Sequence, residues 1–172
     1  MGRGMRAVFS FPNPVNEKAA RVVAGVVAPA SALILVTGWH ALLVPLAYGF
    51  VARVLTGPTL SPLGRLASTV VAPRLGAERP VPGPPKRFAQ GIGAVCTTLA
   101  AVFALGLGWT TAADVIVAMM VVFATLESVF GLCVGCRAFA LLMRAGLIPD
   151  EVCAECVDIW TRLPQPQSPG SA

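Results

Sequence analysis

Residues 19–40 read AARVVAGVVAPASALILVTGWH. After Arg21 there is no Asp, Glu, Lys or Arg until Arg53. A chain in hydrocarbon must satisfy its backbone hydrogen bonds internally, so Ala19 to Thr37 reads as a membrane-spanning helix and Gly38-Trp39-His40 as the turn that ends it. After this turn a second span is expected from about Ala41 to Leu55, interrupted by Pro45 and closed by Thr56-Gly57-Pro58. A third runs from about Phe88 to Leu107 and a fourth from about Ala112 to Val134. The composition agrees: 56% of the 172 residues are hydrophobic and 12% charged, where soluble domains have roughly 45–50% and about 25%. A soluble globule and a disordered chain are both excluded. The expected fold is all-α, a four-helix transmembrane bundle forming one membrane domain over residues 1–163. The close second span argues against a signal peptide at the first.

Charge sets the expected orientation. Arg3, Arg6, Lys18 and Arg21 precede the first span; Arg53, Arg65, Arg74, Arg79, Lys86 and Arg87 fall between the second and third; Arg137, Arg144 and Arg162 follow the fourth. The turns around Gly38–His40 and Gly108–Asp114 carry no Lys or Arg, which puts both termini and the middle loop in the cytosol. Trp39 and Trp109 suit the opposite headgroup region. The net charge of +5 is then a topology signal and an attraction to anionic lipid, not a nucleic-acid footprint.

The middle loop is patterned too. Ser61-Pro62 reads as an N-cap and first-turn proline. Leu63, Leu66, Ala67, Val70 and Val71 fall on one face, with Arg65, Ser68 and Thr69 on the other, so an amphipathic helix over about 62–72 is expected in the inner interface. Arg65, Lys86 and Arg87 are the candidate lipid-headgroup contacts. The Pro, Gln and Ser-rich tail at 164–172 is expected to be disordered.

Four of the five cysteines form two pairs, Cys133-Val-Gly-Cys136 and Cys153-Ala-Glu-Cys156, sixteen residues apart. C-x₂-C-x₁₆-C-x₂-C fits a four-thiolate zinc site, with Cys133, Cys136, Cys153 and Cys156 as ligands, and equally two redox dithiols. If the fourth helix continues from Arg137 to Ala145 and a cytosolic helix starts at Pro149, zinc requires extra bending between the pairs. Arg137 and Arg144 favour thiolate at Cys133 and Cys136. Asp150, Glu151, Glu155 and Asp158 disfavour it at the second pair. A structural disulfide is the least expected state in a reducing cytosol.

Glu127, inside the fourth span, is a functional candidate by its depth; the alternative is a structural carboxylate, protonated or paired with Arg53 or Arg87. Cys96 reads as a packing residue, His40 as interfacial, and Asp114 as part of a capping box with Thr111. No phosphate loop, no Ser–His arrangement and no paired carboxylates support a hydrolase or nucleotide-binding reading.

Val15-Asn16-Glu17-Lys18-Ala19-Ala20-Arg21, Gly57-Pro58, Ser61-Pro62-Leu63-Gly64-Arg65, Pro84-Pro85-Lys86-Arg87-Phe88-Ala89-Gln90 and Phe130-Gly131-Leu132-Cys133-Val134-Gly135-Cys136 together resemble a bacterial membrane family, domain of unknown function 4395. Asn16 stands where that pattern leads us to expect Asp. The resemblance implies a bacterial inner-membrane protein and, as cytosolic partners, thioredoxin-like or rhodanese-type sulfur-transfer proteins. Three functional expectations follow: a membrane thiol or sulfur relay, with quinone as a further acceptor by analogy with other four-helix thiol oxidoreductases; a zinc-stapled scaffold; and, resting on Glu127 alone, a small transporter.

Overall fold

The computed structural model describes residues 11–153 and Cys156; the expected tail at 164–172, Glu155 and Asp158, and Arg3, Arg6 and Arg162 lie outside the described residues. Val15–Asn16 form a short strand, β1, that leads into α1 (Glu17–Thr37). The Asn16 side chain accepts from the Lys18 N–H at 3.0 Å and caps the helix start. At the other end Gly38 takes a left-handed conformation (φ 68°) and its N–H donates to Ile34 O, closing the helix. A 3-10 turn, His40–Leu42, opens α2 (Leu43–Thr56). Pro45 falls in the first turn of α2, where no intrahelical N–H is required, so the interruption expected there does not occur.

The middle-loop helix, α3, is α-helical over Pro62–Leu66, a π turn over Ala67–Val71, and α-helical again over Ala72–Arg74. A two-residue strand β2 (Pro80–Val81) precedes α4 (Gly83–Ala101), which runs on through a second π turn, Val102–Gly106. Then come α5 (Thr110–Phe130) and α6 (Val134–Arg144). Glu17–Thr37, Gly83–Gly106 and Thr110–Phe130 are long and apolar enough to cross a membrane, while the apolar run His40–Thr56 is shorter. At 1.5 Å per residue the three long rods measure about 30–36 Å.

Each helix of the first hairpin packs mainly on a helix of the second: α1 along α5, and α2 along α4, with α4 and α5 in contact between them. The core is built of small and branched residues, among them Val27, Ile34, Leu43, Ala100, Ala113 and Val117, which let the helices approach closely. Gly93 shows how close: a Cβ there would run into the ring of Phe50. At one end of the bundle α3 contacts both α1 and α2, and its Ala67 and Ala72, fully buried, join the cluster that holds Ala19, Val23 and Met120.

That docking differs from the expected amphipathic register. The π turn inserts one extra residue, so the inward face runs Gly64, Ala67, Ala72, while Leu66 is 52% exposed. Asp114 does not cap α5 with Thr111 either. The helix already starts at Thr110, and Asp114 Oδ1 instead meets His40 Nε2 at 2.9 Å, joining the two turns that lack Lys and Arg.

A clasp links the starts of the two hairpins. Val15 and Asn16 pair antiparallel with Val81 and Pro80, the Glu17 N–H donates to Arg79 O, and the Gly83 N–H donates to the Asn13 side chain at 2.8 Å. Lys18 Nζ reaches Leu75 O at 2.6 Å. This clasp lies at the same end of the bundle as α3 and the paired cysteines.

Candidate functional site

Helix α5 stops at Phe130, short of the Val134 expected for the fourth span. Gly131 adopts φ 67° and its N–H donates to Glu127 O, a left-handed stop that the run Phe-Gly-Leu-Cys disguises among apolar residues. Arg21 reinforces the stop from α1, with its guanidinium donating to Ser128 O (3.1 Å) and Val129 O (2.9 Å), two carbonyls left over at the end of α5. The continuation of α5 through Arg137–Ala145 is therefore corrected: those residues belong to a separate helix.

Cys133 is the N-cap of that helix. Its Sγ accepts from the Cys136 N–H at 3.3 Å, and its backbone is extended. Cys133 and Cys136 form a disulfide, as do Cys153 and Cys156, with Cα atoms 5.2 Å apart in each pair. An N-cap sulfur faces the free N–H groups and positive pole of its helix, which stabilises negative charge there. Cys133 is 8% exposed, and Cys136 is more open. The intervening Gly135 is needed for packing, since a Cβ on it would stand 2.6 Å from the Ala89 Cβ on α4. One turn further on, Phe139 is buried against Phe88 of α4, ring centroids 5.5 Å apart.

The face so formed opens onto a cleft of about 820 Å³ lined by Cys133, Cys136 and Cys156, with Glu17, Lys86, Arg137 and Arg144 at its polar points and Phe130, Leu132 and Met143 among the apolar ones. Both cysteine pairs thus reach one cavity. Each sulfur is engaged with its own CxxC partner, and among the described residues no three of His, Cys, Asp and Glu come together in a group that could hold a metal ion. The chain that follows α6 turns at Gly146 (φ 72°) and enters a 3-10 turn, Asp150–Cys153, where the helix expected from Pro149 would start; Cys156 is helical.

Glu127 is paired with Lys86 at 2.7 Å, and both side chains are largely shielded. This corrects two expectations. The partner is neither Arg53 nor Arg87, and Lys86, 7% exposed, faces into the bundle instead of toward lipid headgroups. The geometry explains the swap: the clasp sets Lys86 in the first turn of α4, where its side chain lies beside α5. Arg87, on the outer side, donates to Val54 O at 3.0 Å and sits over Phe11, and Arg65 is exposed.

Arg53 forms a second buried polar knot. Its Nε donates to Gln90 Oε1 (2.9 Å), Nη1 donates to Ser61 Oγ (3.2 Å), and the guanidinium lies 4.5 Å from the centroid of Phe50. Glu127 acts on it electrostatically from α5. Gln90 stands one turn beyond Lys86 on α4, so α2, α4 and α5 are tied together by Arg53, Gln90, Lys86 and Glu127. The sequence offered one signal for this knot: ionisable residues at span depth need partners.

A bundle with three helices able to cross a membrane, and a CxxC at a helix N-terminus beside a cleft, defines a class of helical proteins that carry a dithiol at one end of the bundle. Within it, the chain belongs to the family described as Domain of unknown function (DUF4395), whose model matches residues 15–144. The match takes in Cys133 and Cys136 and stops before Cys153 and Cys156. Among curated proteins and among solved structures nothing matches.

Proposed function

We propose that the protein is a thiol–disulfide relay of the bacterial inner membrane, with both termini and the cleft on the cytosolic side and four helices in the bilayer, including the shorter His40–Thr56. The observation that carries this reading is the position of Cys133: an N-cap sulfur that accepts the Cys136 N–H and lines one cleft with Cys136 and Cys156. A thiolate stabilised in this way is a good leaving group in disulfide exchange. A cytosolic dithiol partner of thioredoxin-like chemistry attacks the more open Cys136, and Cys133 departs as thiolate. The partner's second thiol then attacks its own sulfur in the mixed disulfide. In sum, the partner loses two electrons and two protons, and Cys133 and Cys136 become thiols. Cys153 and Cys156 are the second dithiol, able to exchange with the first across the cleft. Lipid contacts belong to Arg65 and the outer rim.

A Cys133→Ser variant tests the reading from the reverse direction: its Cys136 thiolate attacks the disulfide of an oxidised partner, and no Cys133 thiol is left to resolve the mixed disulfide. Covalent capture of a thiol protein at Cys136 in native membranes, reversed by reductant, is the expected result. A zinc-stapled scaffold predicts instead that purified wild type contains about one zinc per chain, that all four cysteines resist alkylation together, and that chelator exposes them together.

A further inference from the structure

Lys86 occupies a position that the ion pair alone does not explain. It lines the cleft with Cys133 and Cys136, and also a smaller cavity of about 60 Å³ on its other side with Arg53 and Gln90. Its ammonium is held at 2.7 Å by Glu127, and the Lys86 side chain is 9% exposed. A buried Lys–Glu pair is costly to desolvate and, as a structural device, is often no better than an apolar pair of the same size. An ammonium beside a carboxylate, on a residue that lines the same cleft as a dithiol, can do what an apolar pair cannot, which is to give and take a proton.

We propose that Lys86 and Glu127 form the acid–base pair of the Cys133–Cys136 dithiol, an assignment that rests on the thiol-relay reading above. When the partner's thiolate bonds to Cys136, the S–S bond breaks and its electron pair stays on Cys133. The Cys133 thiolate takes a proton from Lys86 across the cleft, and Lys86, next to the Glu127 carboxylate, is reprotonated from solvent through the cleft mouth. In the direction of disulfide formation the same pair accepts the Cys133 proton. Among the described residues, the other charged groups around the pair are Arg53 from α2, Glu17 from α1, and Arg137 and Arg144 from α6. Arg21 is committed to the carbonyls of Ser128 and Val129. Arginine does not release its proton at physiological pH, so none of the surrounding cations can replace Lys86 in this role.

The Lys86→Arg variant separates proton transfer from charge, since it keeps the cation and its attraction to Glu127 but withholds the proton. The full-length protein, in detergent or nanodiscs, is oxidised and then reduced with dithiothreitol across pH 6–9, and the free thiols of Cys133 and Cys136 are followed by mass spectrometry. Wild type should be reduced at least about tenfold faster than Lys86→Arg near neutral pH. The gap should persist across this range, because rising dithiothreitol thiolate speeds both proteins alike, and the end point in a glutathione redox buffer should be unchanged. Glu127→Gln, which keeps the shape of the side chain, should give the same slowed profile. Rates and pH profiles like those of wild type in both variants, with the fold intact by thermal unfolding, overturn the proposal while leaving the relay reading in place. A wild-type disulfide that dithiothreitol reduces only after denaturation overturns both.

Discussion

Gly135 and Ala89 touch so closely that no side chain fits between them: a Cβ on Gly135 would lie 2.6 Å from the Cβ and 2.7 Å from the Cα of Ala89. The helix that carries Cys133 at its cap is therefore pressed against the backbone of α4, one of the rods long and apolar enough to cross a membrane. The position of the dithiol is set by this contact as much as by the turn before it.

Replacing Gly135 by Ala should push α6 outward. The expected cost is about 1–3 kcal/mol, the usual range for an overpacked contact. Thermal unfolding should show the loss, and alkylation of reduced Cys133 should accelerate as its shielding falls. A Gly135→Ala protein with wild-type stability and wild-type Cys133 reactivity would mean that α6 is not seated on α4.

Arg21 should control the same turn from the other side. With Arg21→Met, the carbonyls of Ser128 and Val129 lose their donor, and about 1 kcal/mol of stability should go with it. Hydrogen exchange should rise in residues 129–133 and stay unchanged at the far turn around Trp109. Equal exchange in both proteins at 129–133 would show that the cap contributes nothing.

The docking of α3 gives a third test. Ala72 is fully buried against α1, so Ala72→Leu should destabilise the protein by about 1–3 kcal/mol. The same change at Arg65, which is exposed, should leave stability within about 0.5 kcal/mol but weaken binding of the protein's soluble face to anionic lipid. Equal and small effects at both positions would return α3 to a helix that merely lies on the membrane.

Sidedness is tested by labelling. Single cysteines introduced at Ser10 and Ser168 should both be blocked by an impermeant maleimide only after the inner membrane is opened, while one at Thr37 should react in intact spheroplasts. Reaction of the Ser168 position from outside would place the dithiols in an oxidising compartment.

The long helices were legible because hydropathy is a sum over some twenty residues and tolerates local detail. What escaped were single-residue events inside apolar runs. Gly131 stops α5 among Phe130, Leu132 and Cys133, where nothing polar marks the break, and with it goes the expectation of a continuous helix to Ala145. The π turn at Ala67–Val71 rotates the face of α3 without leaving a trace in composition. Pairings between distant elements escaped for another reason. Glu127 plainly needed a partner, but the choice of Lys86 over Arg53 or Arg87 depends on which helix α5 lies beside, and a single sequence does not carry that information. The two CxxC motifs were visible from spacing alone; that Cys133 sits at a helix start and shares a cleft with Cys156 followed only from the break at Gly131.

The clasp between Val15–Asn16 and Pro80–Val81 bears on how the chain is made. Synthesis runs from the N-terminus, so α1 and α2 are made before Val81 exists, and Val15 has no strand to pair with during that interval. α1 meets its main packing partner, α5, later still. The first hairpin therefore lacks its packing partners until the second is made, and the clasp joins the starts of the two. The Cys133 cleft draws its lining from both halves, Glu17 from the early one and Lys86, Cys133 and Cys136 from the late one, so it is complete only when the two are packed together.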